Sequence, residues 1–575
     1  MKKKIFSILM AGLALVSLGS CSDSDYNDKY PDPSKTKTSS VPQAFTAVLY
    51  KGNTWMNPVY YRYYTQTSTS GIFSGIMGSS NSRGRFRGAS EGYYNTRWQN
   101  FYDMLTQYRL LEKTYNELVD NEKPMNKVFL YLGRTLVEGQ LHEMLSLFGS
   151  VPFNGACTDA LWGNSDYSGA KEKDVYDNDV ELYKQILADL KETSDFFATG
   201  GATESSLATL KRQDYTVAAG SGSLWQKYVN SLRLRIALHL STNGDCTSEA
   251  HATIKEILEN PTTYPVIDSN DENMGVTADT QTDDFNWGKS VSQALHGGYT
   301  PSQAVLDAMN VPANGIADGN TDPRIQAVYD PNPDNEYVAY DVTKTNTDIS
   351  NLSDAKRNEY IERKIGTANY YCVLDSQAIA GYKEYGGNSN IFGLWLGAAE
   401  VSLSKAEAYL MGYGVAKDET KAKENFINGV KLSNEYYWKE KKNSSLYKSG
   451  NDSYASKRSL IEPSDAEVAA YAESIWKPTQ EAICTQLWLN FGWTNMLEAW
   501  NVVRRTGYPV VSFAKDAQMS SYPTPPNRLP YPSSELNFNS KNCQDAIAKY
   551  YKESTGYYTN LFWAKDVYYK IVSER

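Results

Sequence analysis

Histidine is scarce in this sequence. The chain has 575 residues but only four histidines, at positions 142, 239, 251 and 296. A hydrolytic metal centre with several imidazole ligands therefore has little material to draw on. His142-Glu143 begins like the zinc motif HExxH, yet Ser146 stands where the second zinc ligand belongs, one helical turn further on. The sequence accordingly predicts no metal site and no bound cofactor.

Paired cysteines are also missing. The six cysteines lie at positions 21, 157, 246, 372, 484 and 543, and no two of them form a CxxC pair. This scatter argues against a disulfide framework and against a zinc site. Cys21 belongs to the leader described below. We expect the other five to be small apolar side chains in the core.

A positive surface is absent as well. Basic residues number 57 against 67 acidic ones, so the formal charge is −10 and the isoelectric point is about 5.2. That balance argues against binding of nucleic acid. Tyrosine, by contrast, is abundant with 44 residues, and tryptophan contributes 12. Aromatic side chains with polar edges are typical of binding surfaces, and the composition favours one.

The first twenty residues have the pattern of an export signal. Three lysines follow Met1, and residues 5–18 form an apolar run that is short for a membrane span. Leu18-Gly19-Ser20-Cys21 resembles a bacterial lipobox, which predicts a lipid anchor on Cys21. Ser22-Asp23-Ser24-Asp25 resembles the acidic signal that sends lipoproteins to the cell surface in Bacteroidetes-type bacteria. No later apolar run approaches 18 residues, so we expect an anchored protein, not a membrane-spanning one.

The mature chain divides into a short tether and one large domain. Residues 21–45 are polar and contain prolines, which predicts a flexible lipidated tether. Residues 46–575 are interpreted as a single, mostly α-helical domain. Apolar residues recur with the period of a helix in the segments 126–148, 177–197, 224–242, 398–413, 418–438 and 479–503. Small residues in 398–413 predict that this helix packs closely against 421–437 as a hairpin.

Long stretches without that period separate the helices. They are 68–95, 260–300, 310–395 and 505–545. Loops of this length in a compact protein are usually functional. In 68–95, glycine and serine surround arginine and tyrosine, which are donors for sugar hydroxyls or peptide carbonyls. In 283–299, Trp287 offers a flat ring that can stack on a sugar. The predicted ligand-binding residues are Trp287, Tyr299, Arg83, Arg87, Tyr93, Tyr94, Tyr382 and Tyr385.

Three further patterns imitate catalytic or metal sites. Gly88-Ala89-Ser90-Glu91-Gly92 matches GxSxG, but a Gly/Ser-rich loop precedes it where a nucleophile elbow needs a buried strand. Asp283 and Asp284 are adjacent, so they do not face each other across a scissile bond. Residues 268–273 offer oxygen ligands without EF-hand spacing. We predict no catalytic residues, and a calcium ion at 268–273 stays an alternative.

Several segments, in order along the chain, resemble one family. Residues 225–235, WQKYVNSLRLR, are similar to a helix of SusD/RagB-type proteins. The other similar segments are FGSVPF at 148–153, DPR at 322–324, the alanine-rich helix with Glu400 and AEA at 406–408, EAWNVVRRTGYP at 498–509, RLPYP at 528–532, and then Glu535 and Asn539. The resemblance runs from about residue 45 to residue 575, and the lipobox agrees with it.

The resemblance implies a fold of four tetratricopeptide-type helical hairpins with an irregular, loop-rich half that holds the ligand. It also implies a surface lipoprotein of the outer membrane, without enzymatic activity. Such a protein binds oligosaccharides and delivers them to a SusC-like TonB-dependent transporter as its lid. The similar motifs belong to the scaffold, so they do not identify the ligand. A peptide ligand in the same role is the first alternative. A glycan-cleaving enzyme and a purely structural surface protein are more distant ones.

Overall fold

Helices account for most of the protein in the computed structural model. The model describes residues 39–87, 91–158, 174–277, 291, 294–295, 299–364, 369–380, 390–444, 447–448, 462–516, 518–552 and 557–572. The α-helices are α1 (Val41–Met56), α2 (Tyr60–Ser68), α3 (Ser70–Phe73), α4 (Glu91–Asn116), α5 (Lys123–Phe148), α6 (Asp179–Ala198), α7 (Glu204–Leu210), α8 (Gly222–His239), α9 (Thr247–Glu259), α10 (Gln303–Ala308), α11 (Ile325–Val328), α12 (Asn346–Glu362), α13 (Ala398–Met411), α14 (Glu419–Asn443), α15 (Asp465–Ile475), α16 (Gln480–Phe491), α17 (Met496–Thr506), α18 (Ser533–Phe538) and α19 (Ser540–Ala546). The predicted mostly α-helical class is confirmed.

Short strands pair into two-stranded ribbons. The strands are β1 (Val151–Pro152), β2 (Tyr176–Asp177), β3 (Met274–Val276), β4 (Tyr329–Asp330), β5 (Val373–Leu374), β6 (Gly393–Leu396), β7 (Val511–Ala514) and β8 (Tyr569–Val572). The pairs β1–β2, β3–β6 and β4–β5 are antiparallel, whereas β7–β8 is parallel. Because each strand has two to four residues, the ribbons fasten loops to the helical body and do not form a layer of their own.

The first helix begins earlier than the sequence analysis placed it. The Ser40 hydroxyl accepts a hydrogen bond from the Gln43 backbone amide, and the Gln43 side-chain oxygen accepts one from the Ser40 backbone amide. This capping box starts α1 at Val41. Phe45 is fully buried. The predicted end of the tether at residue 45 therefore falls inside a packed helix. The leader and Cys21 lie outside the described residues.

Helices α13 and α14 pack side by side, as predicted. Asp418 caps the start of α14 by accepting a hydrogen bond from the Lys421 backbone at 2.9 Å. The Ser402 hydroxyl donates to the carbonyl of Asn425 across the pair at 2.9 Å. Gly429 makes the close approach possible, because a Cβ atom there would lie 2.6 Å from Cγ of Leu403. The number of four tetratricopeptide-type hairpins stays a prediction.

We expect Gly429→Ala to weaken the fold by about 1–3 kcal/mol, since the added methyl group must displace Leu403 in a packed core. Urea unfolding of the variant measures this loss. Gly319→Ala is the matched control, because a Cβ atom at Gly319 meets no heavy atom within 4 Å. Equal losses in the two variants would contradict the packing argument.

Several predictions about helix boundaries are wrong, and two of them concern long segments. The segment 479–503 is not one helix: α16 ends before Gly492, whose positive φ of 37° turns the chain, and the Asn495 side chain then caps α17. The predicted loop 310–395 contains the 17-residue helix α12. Only Ile349 and Tyr360 of α12 are buried, so this helix shows little of the apolar period that indicates a helix.

Charged residues of the family-like segments pair with one another in the core. Arg235 on α8 donates two hydrogen bonds to Glu400 on α13, with N–O distances of 2.5 and 2.6 Å. Arg505 on α17 donates two to Glu407, also on α13, at 2.7 and 2.6 Å. The side chains of Arg505 and Glu407 are 4% and 0% exposed, so each buried charge is compensated by the opposite charge of its partner. These motif residues are therefore explained by the scaffold.

Two further sequence expectations can be compared with the fold. Four of the cysteines, Cys246, Cys372, Cys484 and Cys543, are buried as predicted, and Cys157 is half-buried. Among the helices in the described part of the chain, none has the length and apolar character needed to cross a membrane.

Candidate functional site

Residues 77–87 form a loop that three distant segments hold in place. The Gly78 amide donates to the carbonyl of Thr300 at 2.7 Å, and the Asn81 amide donates to the carbonyl of Lys344 at 2.7 Å. The Gly84 amide donates to Oδ2 of Asp516 at 2.7 Å. Backbone groups anchored at three points leave the loop little freedom. We call residues 77–87 the arginine loop.

The arginine loop buries the side chains of Arg85 and Phe86 and exposes those of Arg83 and Arg87. Phe86 is fully buried and packs on Phe513, with ring centroids 5.7 Å apart. The Arg85 guanidinium lies 4.6 Å from the Phe86 ring centroid and donates to the carbonyls of Ser80 and Val342, each at 3.2 Å. Arg83 and Arg87 are exposed. The buried pair thus supports two guanidinium groups that face the solvent.

A first group of tyrosines borders the arginine loop on its C-terminal side. The Tyr557 hydroxyl donates to the carbonyl of Phe86, which joins the group to the loop. The Tyr522 ring packs edge-on against Tyr557, with centroids 4.8 Å apart, and Tyr558 follows at 5.3 Å. Tyr94 lies close enough to Tyr557 to affect its pKa. Tyr94, Tyr522 and Tyr558 are half-buried, so part of each ring reaches solvent. These four residues are the Tyr557 group.

A second group borders the same loop through residues 340–345. Tyr340 and Tyr371 pack at right angles with ring centroids 4.6 Å apart, and Tyr370 lies 5.1 Å from Tyr371. The Lys356 ammonium is 5.6 Å from the Tyr370 centroid, which is within reach of a cation–π contact. The backbones of Tyr340 and Ser302 form an isolated β-bridge, and the backbones of Asn81 and Thr345 form another. Tyr340, Tyr370 and Tyr371 are the Tyr340 group.

The buried hydroxyl groups of Tyr371 and Tyr557 keep their protons at neutral pH. Burial raises the pKa of Tyr371 to about 12, and its neighbours Tyr340 and Tyr370 add to that effect. Burial likewise raises the pKa of Tyr557 well above its usual value. A neutral phenol donates and accepts hydrogen bonds, and its ring presents an apolar face. Together with two exposed guanidinium groups, the arrangement suits a neutral, hydroxyl-rich or carbonyl-rich ligand.

The predicted site residues have different positions in the structure. Arg83, Arg87 and Tyr94 come together on the arginine loop and its border. Tyr93 begins helix α4, but its side chain lies outside the described residues, as do Trp287, Tyr382 and Tyr385. Tyr299 is 1% exposed, so its ring belongs to the core and offers no face to solvent.

The segments that contain Trp287, Tyr382 and Tyr385 leave the described fold at neighbouring points. Residue 277 is the last described residue before the first segment, and residue 390 is the first after the second. Val276 of β3 pairs with Gly393 of β6 in the antiparallel ribbon. Sequence patterns do not reveal this pairing, because β3 and β6 are separated by more than a hundred residues.

The tyrosines 340, 370, 522 and 558 were missed in the sequence analysis. Each stands in a stretch without helical periodicity, and three of them belong to or adjoin a Tyr-Tyr pair or a proline-rich run. Their shared signal was the high tyrosine content of the chain. What the sequence does not show is which of the 44 tyrosines gather around one loop.

In the described part of the helical body, the interior holds polar groups around small cavities. The imidazole of His142 contacts Glu498 and Tyr183, each at 3.2 Å. Burial alone would raise the pKa of Glu498, but the hydrogen bond from His142 and the charge of Arg235 lower it to about 2. Two neighbouring cavities lined by Arg235 and Glu400 have room for one or two water molecules each.

The carboxylates at 268–273, which the sequence analysis considered for calcium, contact lysine side chains. Asp271 pairs with Lys439 at 3.3 Å, and Lys227 contacts both Glu272 and Asp268. Residues 270–272 form a 3-10 turn. The carboxylates at 268–273 therefore have ammonium partners. Across the part of the chain that is described, no three His, Cys, Asp or Glu side chains are grouped as metal ligands would be.

Comparison with known proteins adds a family and several folds. Residues 42–532 match the SusD-like family model described as "Starch-binding associating with outer membrane". A sequence comparison with curated proteins finds no match.

Several solved structures share the fold. A chitin-binding protein has 19% identity and a TM-score of 0.65, with 91% of this chain and 99% of that chain covered. A chitin-binding SusD homologue from Flavobacterium johnsoniae has 17% identity and a TM-score of 0.61, with 92% and 98% covered. A SusD homologue from Parabacteroides distasonis has 16% identity and a TM-score of 0.64, with 93% and 99% covered. At these identities the likeness establishes the fold alone.

Proposed function

Because the chain belongs to the SusD-like family, we propose that it is a surface lipoprotein that binds oligosaccharides without cleaving them. The observation that carries the proposal is the arginine loop, which is bordered by two groups of tyrosines whose rings are half-buried or buried. Tyrosine rings stack on the apolar faces of sugar rings, while guanidinium and phenol groups donate to sugar hydroxyls. The family description names starch, and two structural relatives are titled as chitin-binding.

The loop side of the molecule is the proposed ligand side, and Trp287, Tyr382 and Tyr385 are proposed to add to it. Arg83, Arg87 and the accessible edges of Tyr94, Tyr340 and Tyr522 would contact the sugar. Since the rings are only partly exposed, each contributes a modest area, and several must act together. A peptide is the second candidate ligand, because an arginine fork also suits carboxylates and carbonyls.

Calorimetric titration of residues 22–575 with maltooligosaccharides, chitooligosaccharides and mixed peptides tests the ligand class. We expect binding of one class of oligosaccharide and about a tenfold loss in Arg87→Ala, which corresponds to one hydrogen bond to a charged donor. Arg357→Ala is the control, since Arg357 is exposed on α12 and pairs with Asp354. Binding of peptides alone would replace the sugar by the second candidate.

The contribution of stacking has its own test. Tyr522→Ala should weaken oligosaccharide binding by about fivefold, whereas Tyr522→Phe should retain most of the affinity because the ring remains. The same titration measures both variants. If Tyr522→Phe lost as much affinity as Tyr522→Ala, the hydroxyl group and not the ring would be the contact.

Chromatography of the sugar after incubation should show no shorter products, in contrast to a glycan-cleaving enzyme.

The proposed partner is a SusC-like TonB-dependent transporter, over which the chain would act as a lid. Enclosure between lid and barrel raises the effective ligand concentration, so weak affinity for the free sugar suffices. Affinity purification of the tagged, full-length chain from detergent-solubilised outer membranes should recover the transporter.

Cys21→Ser should leave the chain without its lipid, so that the chain is lost from the membrane fraction. Recovery of Cys21→Ser in the membrane fraction at the level of the unaltered chain would contradict the proposed anchor.

A further inference from the structure

Two exposed tyrosines lie together beside the first helix. Tyr50 on α1 is 54% exposed and Tyr215 is 40% exposed. Tyr215 contacts Asn53, one turn further along α1, and lies close to Tyr50. Most large aromatic side chains in this protein are buried, so a pair of exposed phenol rings on one surface indicates a contact with something outside the chain.

Basic side chains accompany these tyrosines. Lys211 and Arg212 are both exposed, four and three residues before Tyr215. The hydroxyl of Thr46 donates to Oε1 of Gln213 at 2.7 Å, which holds this segment against α1. We call Tyr50, Lys211, Arg212 and Tyr215 the Tyr50 patch.

Two carboxylates near the patch have partners outside it. Helix α1 contains no acidic residue. Asp214 is turned inward, where it accepts hydrogen bonds from Thr216, Gly220 and Trp225. Asp103 forms an ion pair with Lys51 at 3.4 Å. The four side chains of the patch therefore carry two positive charges and no negative one, on a chain whose formal charge is −10.

The patch lies close to the point where the proposed tether joins the fold. The described chain begins at residue 39 and α1 begins at Val41. A tether of the proposed flexibility between Cys21 and residue 39 would span roughly 20–25 Å on average. An anchor on Cys21 would thus keep α1 near the surface of the bilayer.

We propose that the Tyr50 patch rests on the anionic headgroup surface of the membrane that holds the lipid anchor. This inference depends on the proposed anchor at Cys21 and not on the identity of the ligand. Lysine and arginine side chains are attracted to an anionic lipid surface, and tyrosine rings favour the boundary between headgroups and acyl chains. The contact would fix which side of the protein faces the membrane.

Amine footprinting of the lipidated, full-length chain on vesicles tests the proposal. The vesicles are phosphatidylcholine with or without phosphatidylglycerol, and mass spectrometry measures acetylation of Lys211. We expect Lys211 to react about fivefold more slowly on the anionic vesicles than on the neutral ones, with the difference lost in about 0.5 M salt. Lys541, whose side chain is 86% exposed, should react equally on both and serves as the internal control.

Arg212→Glu should restore the reaction rate of Lys211 on anionic vesicles, because it removes one attractive charge and adds a repulsive one. The proposal would be overturned if Lys211 reacted at the same rate on anionic and neutral vesicles, whether both vesicles slowed the reaction or neither did. Protection of Lys211 by an oligosaccharide instead of by vesicles would make the patch a second sugar site. Failure of the chain to float with any vesicle would mean that the anchor itself is absent.

Discussion

Glu407→Ala should lower the free energy of unfolding by about 3–5 kcal/mol. Glu407 accepts both hydrogen bonds of the Arg505 guanidinium, and neither side chain reaches solvent to any useful extent. Burial alone would lower the pKa of Arg505. The charge of Glu407 and its hydrogen bonds with Arg505 raise that pKa above its usual value. Removal of Glu407 leaves a permanent cation in the core without its counter-charge, while a cavity replaces the carboxylate.

Urea unfolding, followed by circular dichroism, measures this loss. Glu407→Gln should lose less than Glu407→Ala, because an amide still accepts one hydrogen bond and fills the space. The matched control is Asp545→Ala, which breaks an ion pair with Lys541 whose side chains are 65% and 86% exposed. Such exposed pairs contribute about 0–1 kcal/mol. A loss in Glu407→Ala as small as that of Asp545→Ala would contradict the role given to the buried pair.

Glu440→Gln should stabilise the protein at high pH by up to about 3 kcal/mol and have little effect near pH 4.5. Glu440 is 3% exposed, and burial raises its pKa to about 7 from a usual value of 4.5. The folded protein therefore prefers the protonated carboxyl group. As pH rises from about 4.5 to 7, the unfolded chain ionises freely and the folded chain does not, so stability is lost over this window.

The amide variant removes that titration while it preserves the local contact. The Phe392 amide donates to Oε2 of Glu440 at 2.9 Å, which fastens the chain just before β6, and a glutamine oxygen can accept the same bond. Unfolding free energies at several pH values, compared between variant and parent, isolate the effect. Glu424→Gln on the same helix is the control, since Glu424 is exposed. The argument would be contradicted if the free energies of unfolding of Glu440→Gln and the parent differed by the same amount at every pH.

The sequence predicted several long helices well and missed others. The segment 126–148 becomes α5 with the same C-terminal end, because its apolar residues face one core. Helix α12 escaped prediction because tertiary contacts bury only two of its residues. The break between α16 and α17 depends on Gly492 and on the Asn495 cap, which are local features that a long apolar pattern hides.

The candidate site was predictable only in part. Arg83 and Arg87 could be proposed because they lie in a long Gly/Ser-rich loop, but the same pattern contains Arg85, which the fold buries. Their partners could not be proposed, since Tyr522 and Tyr340 join the arginine loop through hydrogen bonds and ring contacts between segments hundreds of residues apart. Tyr299 shows the opposite error, because a tyrosine in a predicted loop proved to be part of the core.

The most direct test of the central claim is a crystal structure of residues 22–575 with the oligosaccharide that binds most tightly in the titrations. The account predicts that a sugar ring lies against a tyrosine of the Tyr340 or Tyr557 group, within about 4 Å. It also predicts that a hydroxyl of the sugar accepts a hydrogen bond from Arg83 or Arg87. A sugar bound on the helical body, away from the arginine loop, would contradict the account.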